Sequence, residues 1–158
     1  MKNNGILISL IVLALVLIIW SRATNPNMAE ARRWSSYGVE CLPSGHENLG
    51  QHIHPDLFIT MDGEASPVPA NIGINPVCMA ELHTHDATGK IHIETVSPAK
   101  EMTLGQFFNV WGESLQKEGY KLTATFGSTT VQYDANPSAV TDHVLKDFEQ
   151  MHLTYTKR

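Results

Sequence analysis

Residues 81–96 read E-L-H-T-H-D-A-T-G-K-I-H-I-E-T-V, and this stretch restricts the fold more than any other part of the chain. Two runs alternate apolar and polar residues about D-A-T-G, the pattern of a β-hairpin. Leu82, Ile91 and Ile93 are its aliphatic members. A sheet with one buried face has to bring them together, and that requirement selects the register. With a four-residue loop at 86–89, Leu82 pairs with Ile93, His83 with His92, His85 with Lys90 and Glu81 with Glu94. A three-residue loop with a glycine bulge would set His92 beside Thr84, on the wrong face.

In the selected register the Cβ atoms of His83 and His92 lie about 5 Å apart, and His85 is one diagonal step away. Three imidazoles on one face form the ligand set of a three-histidine zinc or copper site with an open position. Imidazole is neutral near pH 7 and borderline in softness, which suits both ions. Glu81 and Glu94 are placed to orient ring N–H groups, or to serve as a general base if the site is catalytic. His52 and His54, in Q-H-I-H at 51–54, are candidates for a fourth ligand if their strand lies beside the hairpin. A single H-x-H is a weak signal, because polar strand faces carry histidine by chance. Two such pairs plus I-H-I-E make a stronger one. Of the remaining histidines, His46, His143 and His152 are read as surface or capping residues. Met61 and Met79 would add soft donors for copper(I).

Residues 5–20 carry no charge and no proline. As a helix they span about 24 Å, short of a bilayer core of about 30 Å, with Trp20 and the flanks to make up the difference. They are read as an uncleaved single-pass anchor. The alternative is a signal peptide with Lys2 as its basic start and 21–23 as the cleavage site. Either reading places the remainder outside the cytoplasm. Arg22, Arg32 and Arg33 follow the segment, and by the positive-inside rule they point the other way. The cysteines and the histidine set weigh for export.

Cys41 and Cys78 are the only cysteines. In an exported domain an even pair reads as one disulfide, clipping an entry loop to the body of the fold. The alternatives are Cys78 as a soft metal ligand, or two free thiols. The net charge is −5 with scattered Lys and Arg, so phosphate-driven nucleic-acid binding is not expected.

The expected organisation is an anchor at 1–24, a tether and entry loop at 25–50, and an extracytoplasmic domain at 51–158. Within 25–50, Pro26, Gly38, Pro43, Gly45 and Gly50 suggest loop, with a short helix at 28–37. Residues 51–61 alternate as a strand that Pro55 marks as edge or bulged, and 68–74 form a second extended piece. Residues 103–116 predict a helix: T-x-x-Q is a capping box, and Leu104, Phe107, Phe108, Trp111 and Leu115 share one face. Gly119 is its expected stop. A hairpin at 120–133 around Gly127-Ser128, a short helix or turn at 139–147 and a last strand at 150–156 follow. This order is an α+β domain with a mostly antiparallel sheet and one packed helix, similar by analogy to a β-grasp.

Four stretches carry a resemblance: H-x-H-P-x-L-x-I at 52–59, V-P-A-N-I-G-I at 68–74, L-H-T-H-D-x-x-G-x-I-H-I-E at 82–94 and T-L-G-Q-F-F-x-x-W-G at 103–112. By these the chain resembles a family of membrane-tethered microbial proteins. The resemblance covers most of the soluble part and implies membrane tethering, but no mechanism. Cupins share the H-x-H, but their spaced glycines and downstream histidine do not line up here.

Three functions fit the sequence. The first is a non-enzymatic module at the outer membrane face that binds copper or, second, zinc. The next is a zinc hydrolase or hydratase at the same site. The last is a metal-free domain that presents its sheet to a membrane-protein partner. No serine triad, phosphate loop or cofactor fingerprint is present.

Overall fold

The computed structural model describes residues 3–42 and 46–158. Lys2, Pro43 and Gly45, used above, lie outside the described residues. The first element is α1 (Asn3–Thr24). It extends past the apolar run at both ends, so its length is about 33 Å rather than 24 Å. Its side chains from Leu7 to Trp20 are exposed, and Leu7–Thr24 is long and apolar enough to cross a membrane.

Helix α2 (Pro26–Ser36) follows, with Asn25 capping its first turn by accepting from the N–H groups of Asn27 and Met28. The expectation that 25–50 stays outside the core does not hold for this helix and the residues after it. Trp34 and Val39 are fully buried, and Trp34 Nε1 donates to the Val110 carbonyl at 3.1 Å. An indole is too large an apolar surface to leave in water when a helix face is available to cover it. The cysteines form a disulfide, Cys41–Cys78, that ties this segment to the body of the domain.

The body is α+β. Its main sheet has the order β3-β2-β10-β8-β9. The strands are β2 (Asp56–Met61), β3 (Glu64–Ala65), β8 (Tyr120–Phe126), β9 (Thr129–Gln132) and β10 (Gln150–Lys157). Neighbours are antiparallel except β2 and β10, which run parallel at its centre. Along β10, Met151, Leu153 and Tyr155 are buried and their neighbours exposed. That alternation turns one sheet face into the buried core, to which helix α3 (Leu104–Trp111) contributes Leu104, Phe107, Phe108 and Val110. The capping box at Thr103 and Gln106 is present. Helix α3 ends earlier than expected, because Gly112 takes the left-handed conformation, φ +85°, and stops it. Leu115 is buried beyond the helix rather than on it. A short α4 (Pro137–Thr141) precedes the last strand.

The site sits on a second, three-stranded sheet of order β1-β7-β6, built from β1 (Gln51–Ile53), β6 (Leu82–His83) and β7 (His92–Thr95). The strand expected over 51–61 is therefore two strands. Pro55 has no N–H for a ladder, and the chain changes sheet at residues 54 and 55. The extended piece expected at 68–74 is mostly turn, leading into β4 (Ile74–Asn75), which pairs with β5 (Cys78–Met79).

Replacing Trp34 with Ala should cost about 3–5 kcal/mol, the range for emptying a buried aromatic site. Denaturant titration of the detergent-solubilised chain measures this. A change under about 0.5 kcal/mol would mean that 25–50 is a loose tether after all.

Candidate metal centre

The hairpin register is the one the aliphatic residues select: Leu82 pairs with Ile93 and His83 with His92. Leu82, Ile91 and Ile93 are all fully buried. The ladder ends there, however, and the expected pairing of His85 with Lys90 does not form. Thr84 leaves the hairpin to pair with Ile72 and Asn71, while Ile91 N–H donates to the Pro55 carbonyl at 2.9 Å. Both partners offer backbone hydrogen bonds that a tight four-residue turn would forgo.

Strand β7 is central. On one flank His83 lies opposite His92; on the other His52 lies opposite Glu94. Paired residues share a face, so His52, His83, His92 and Glu94 project together. His54 and His85 extend the group. Ring centroids of His83 and His85 are 4.7 Å apart, those of His85 and His92 4.6 Å, and those of His54 and His92 4.6 Å.

His46 joins them. Its Nδ1 lies 2.6 Å from Glu94 Oε2, and its ring is 5.7 Å from that of His85. His46 is at the surface as expected, with half of its side chain exposed, and it also contacts the central carboxylate. No spacing around His46 in the sequence marks it. Cys41, five positions earlier, is bonded to Cys78 of β5 and bridges to Ala80, just before β6. His143 and His152 keep ordinary roles. His143 stacks on Phe126 and reaches Glu149 at 2.9 Å, and His152 stacks on Phe58.

The two glutamates part company. Glu81, expected beside the rings, pairs with Lys100 and accepts the Glu40 N–H at 2.9 Å. Glu94 is buried with 0% side-chain exposure at the centre of the cluster. Its Oε1 lies 3.1 Å from His52 Nε2, 3.7 Å from His92 Nδ1 and 3.9 Å from His83 Nε2. None of these contacts has hydrogen-bond geometry, and both Oε1 and His92 Nδ1 are buried without a hydrogen-bond partner. Buried polar atoms without partners are rare and costly. Met61 pairs with Tyr155 at the end of the main sheet and Met79 with Ile74, so both lie outside the three-stranded sheet. Cys78 is in the disulfide and is not a thiolate ligand.

His83, His85, His92 and Glu94 each place one ligand atom within 4.8 Å of the others, and so do His52, His54 and His92. Nitrogens bound at 2.0–2.1 Å in a tetrahedron lie about 3.3–3.4 Å apart. His83 Nε2 and His85 Nε2 are 3.2 Å apart. The His83 ring is also oriented for coordination. Its Nδ1 lies 2.8 Å from the Ala80 carbonyl, which can only accept, so Nδ1 carries the proton and Nε2 the lone pair. Burial pushes the His83 imidazole down to about 4, against the backbone hydrogen bond that favours its charged form. Burial and the His83 ring push His92 down to about 4 as well. Rings of this kind stay neutral at pH 7, the form that binds metal. Comparison with protein-family models, curated proteins and solved structures found no match.

The depressed His83 value has a sign for stability. The unfolded ring takes a proton near 6.5 and the folded ring near 4, so the unfolded state binds more protons between them. Stability is complete above about pH 6.5 and falls as pH drops towards 4, by roughly 3 kcal/mol for this ring. Denaturant titrations of chelator-treated protein at pH 7.5 and 4.5 should differ accordingly, and His83→Gln should shrink the difference. Equal stability at the two pH values would contradict the buried neutral ring.

Proposed function

We propose that this protein is a membrane-anchored transition-metal-binding protein whose ion is held by His83, His85, His92 and Glu94. The observation that carries this reading is one oxygen of a fully buried carboxylate, Glu94 Oε1, which faces the ring nitrogens of His52, His83 and His92 without a hydrogen bond to any of them. Buried charges are paired or coordinate metals, and here Glu94 Oε1 and His92 Nδ1 converge without a hydrogen-bond partner.

Nitrogen and carboxylate donors suit copper(II) and zinc(II) rather than copper(I), since neither methionine is in the group. Copper(II) binds such sets most tightly by the Irving–Williams order, and zinc is the second candidate. Binding without turnover is favoured, because Glu81 is committed to Lys100 and Glu94 is buried away from any substrate. Helix α1 supports single-pass anchoring through the apolar run at 5–20. The disulfide supports an oxidising, extracytoplasmic location, where a membrane-protein partner would exchange the ion. The main-sheet order, with α3 between two hairpins and a parallel central pair, supports a β-grasp frame. The four sequence patterns, which fall on β1, β2, the turn before β4, the histidine hairpin and α3, support membership in the membrane-tethered microbial family they resemble.

Full-length protein in detergent, stripped with chelator, should gain stability with added Zn(II) or Cu(II). A ligand at 100 times its Kd adds about 2.7 kcal/mol. His85→Ala, at an exposed position, should leave the fold intact and weaken binding at least about tenfold, the lower bound even for losing an outer-shell partner. Unchanged melting with both ions, and no ion retained after dialysis, would overturn the reading in favour of a metal-free interaction domain.

A further inference from the structure

Two sets of side chains have metal-ligand geometry, and they meet at one residue. The inner set is His83, His85, His92 and Glu94; the outer set is His52, His54 and His92. We propose that the outer set is a second position for a divalent transition-metal ion, so that two ions flank the His92 ring. This rests on reading the inner set as a metal site.

The backbone builds the outer set as deliberately as the inner one. Antiparallel pairing of β1 with β7 turns His52 to the face that carries His92 and Glu94. The chain then breaks at Pro55, which stops β1 and leaves His54 at the sheet edge beside His92. The His54 N–H donates to Asp147 Oδ1 at 2.9 Å, and this fixes the corner. His52 and His54 ring centroids lie 4.5 Å apart, and the His54 ring meets the His92 ring edge-on, at 87°. Three imidazoles, with Glu94 Oε1 3.1 Å from His52 Nε2, are a donor type for copper or zinc.

A single ring can serve both positions because imidazole has two nitrogens. His92 Nδ1 lies 3.7 Å from Glu94 Oε1 and has no hydrogen bond. Nε2 remains as the second donor. When both nitrogens hold ions, the ring gives up its one N–H proton to solvent and becomes an imidazolate. Its negative charge, with that of Glu94, offsets repulsion between the two ions. Each position has one solvent-facing ligand, His85 in the inner set and His52 in the outer, while His83 and Glu94 are fully buried. Both positions are therefore open to an ion from solution or from a partner, and the shared ring links them.

The test is a count of ions with full-length, detergent-solubilised protein, stripped with chelator, loaded with Zn(II) and desalted. Elemental analysis should find two ions per chain in the native sequence and one in His54→Ala, with His52→Ala behaving alike. Loading with Cu(II) adds a second readout. The two-copper form should give an electron-paramagnetic-resonance signal well below two spins per chain, from coupling through His92. The His54→Ala form should give one ordinary spin. One ion in the native sequence, or a second ion that persists in both variants, would overturn the outer position and leave the inner site standing. No ion in any of them would overturn both. If His54→Ala fails to fold, His54→Gln keeps a polar side chain at the corner and takes its place.

Discussion

One buried carboxylate organises this structure. Glu94 sits at 0% exposure on the central strand of a three-stranded sheet, and removing a charge from water is expensive unless it is compensated. His46 contributes a close contact to one oxygen. The other oxygen faces His52, His83 and His92 without forming a hydrogen bond. Pairing on both flanks of β7 makes that crowding unavoidable, since His52 must sit opposite Glu94 and His83 opposite His92. The same register sends Ile93 and Leu82 to the other face and into the core. Folding energy from those aliphatic side chains thus holds the polar cluster together.

Backbone details around the sheet serve the same end. Gly73 has φ +72°, and a Cβ there would lie 2.3 Å from the Leu82 carbonyl oxygen. Only glycine lets the turn at 70–73 approach β6 so closely. This turn accepts the Thr84 N–H through Ile72 and so opens the hairpin tip that carries His85. The Cys41–Cys78 disulfide holds Cys41, five positions before His46, against the body.

Much of this was legible in the sequence because it follows from period-two alternation. The register of the histidine hairpin, the capping box of α3, the 120–133 hairpin and the last strand are all local patterns. What the sequence did not reveal came from contacts between distant segments. The alternation rule treats a polar face as solvent-facing, so nothing in it says that Glu94 and His83 are buried, or that Glu81 turns to Lys100. Trp34 read as part of a tether because its cover, α3, lies more than 70 positions away. His46 escaped notice for the same reason. The long helix ending at Gly119 failed on chemistry that was visible: Gly112 is an earlier and sufficient stop.

Anomalous X-ray diffraction at the zinc or copper edge, on crystals of the loaded protein, tests the central claim most directly. The account predicts an anomalous peak about 2.0–2.2 Å from both His83 Nε2 and His85 Nε2, with a Glu94 oxygen at a similar distance. Anomalous density confined to other parts of the molecule, with the Glu94 cluster showing none, would contradict it.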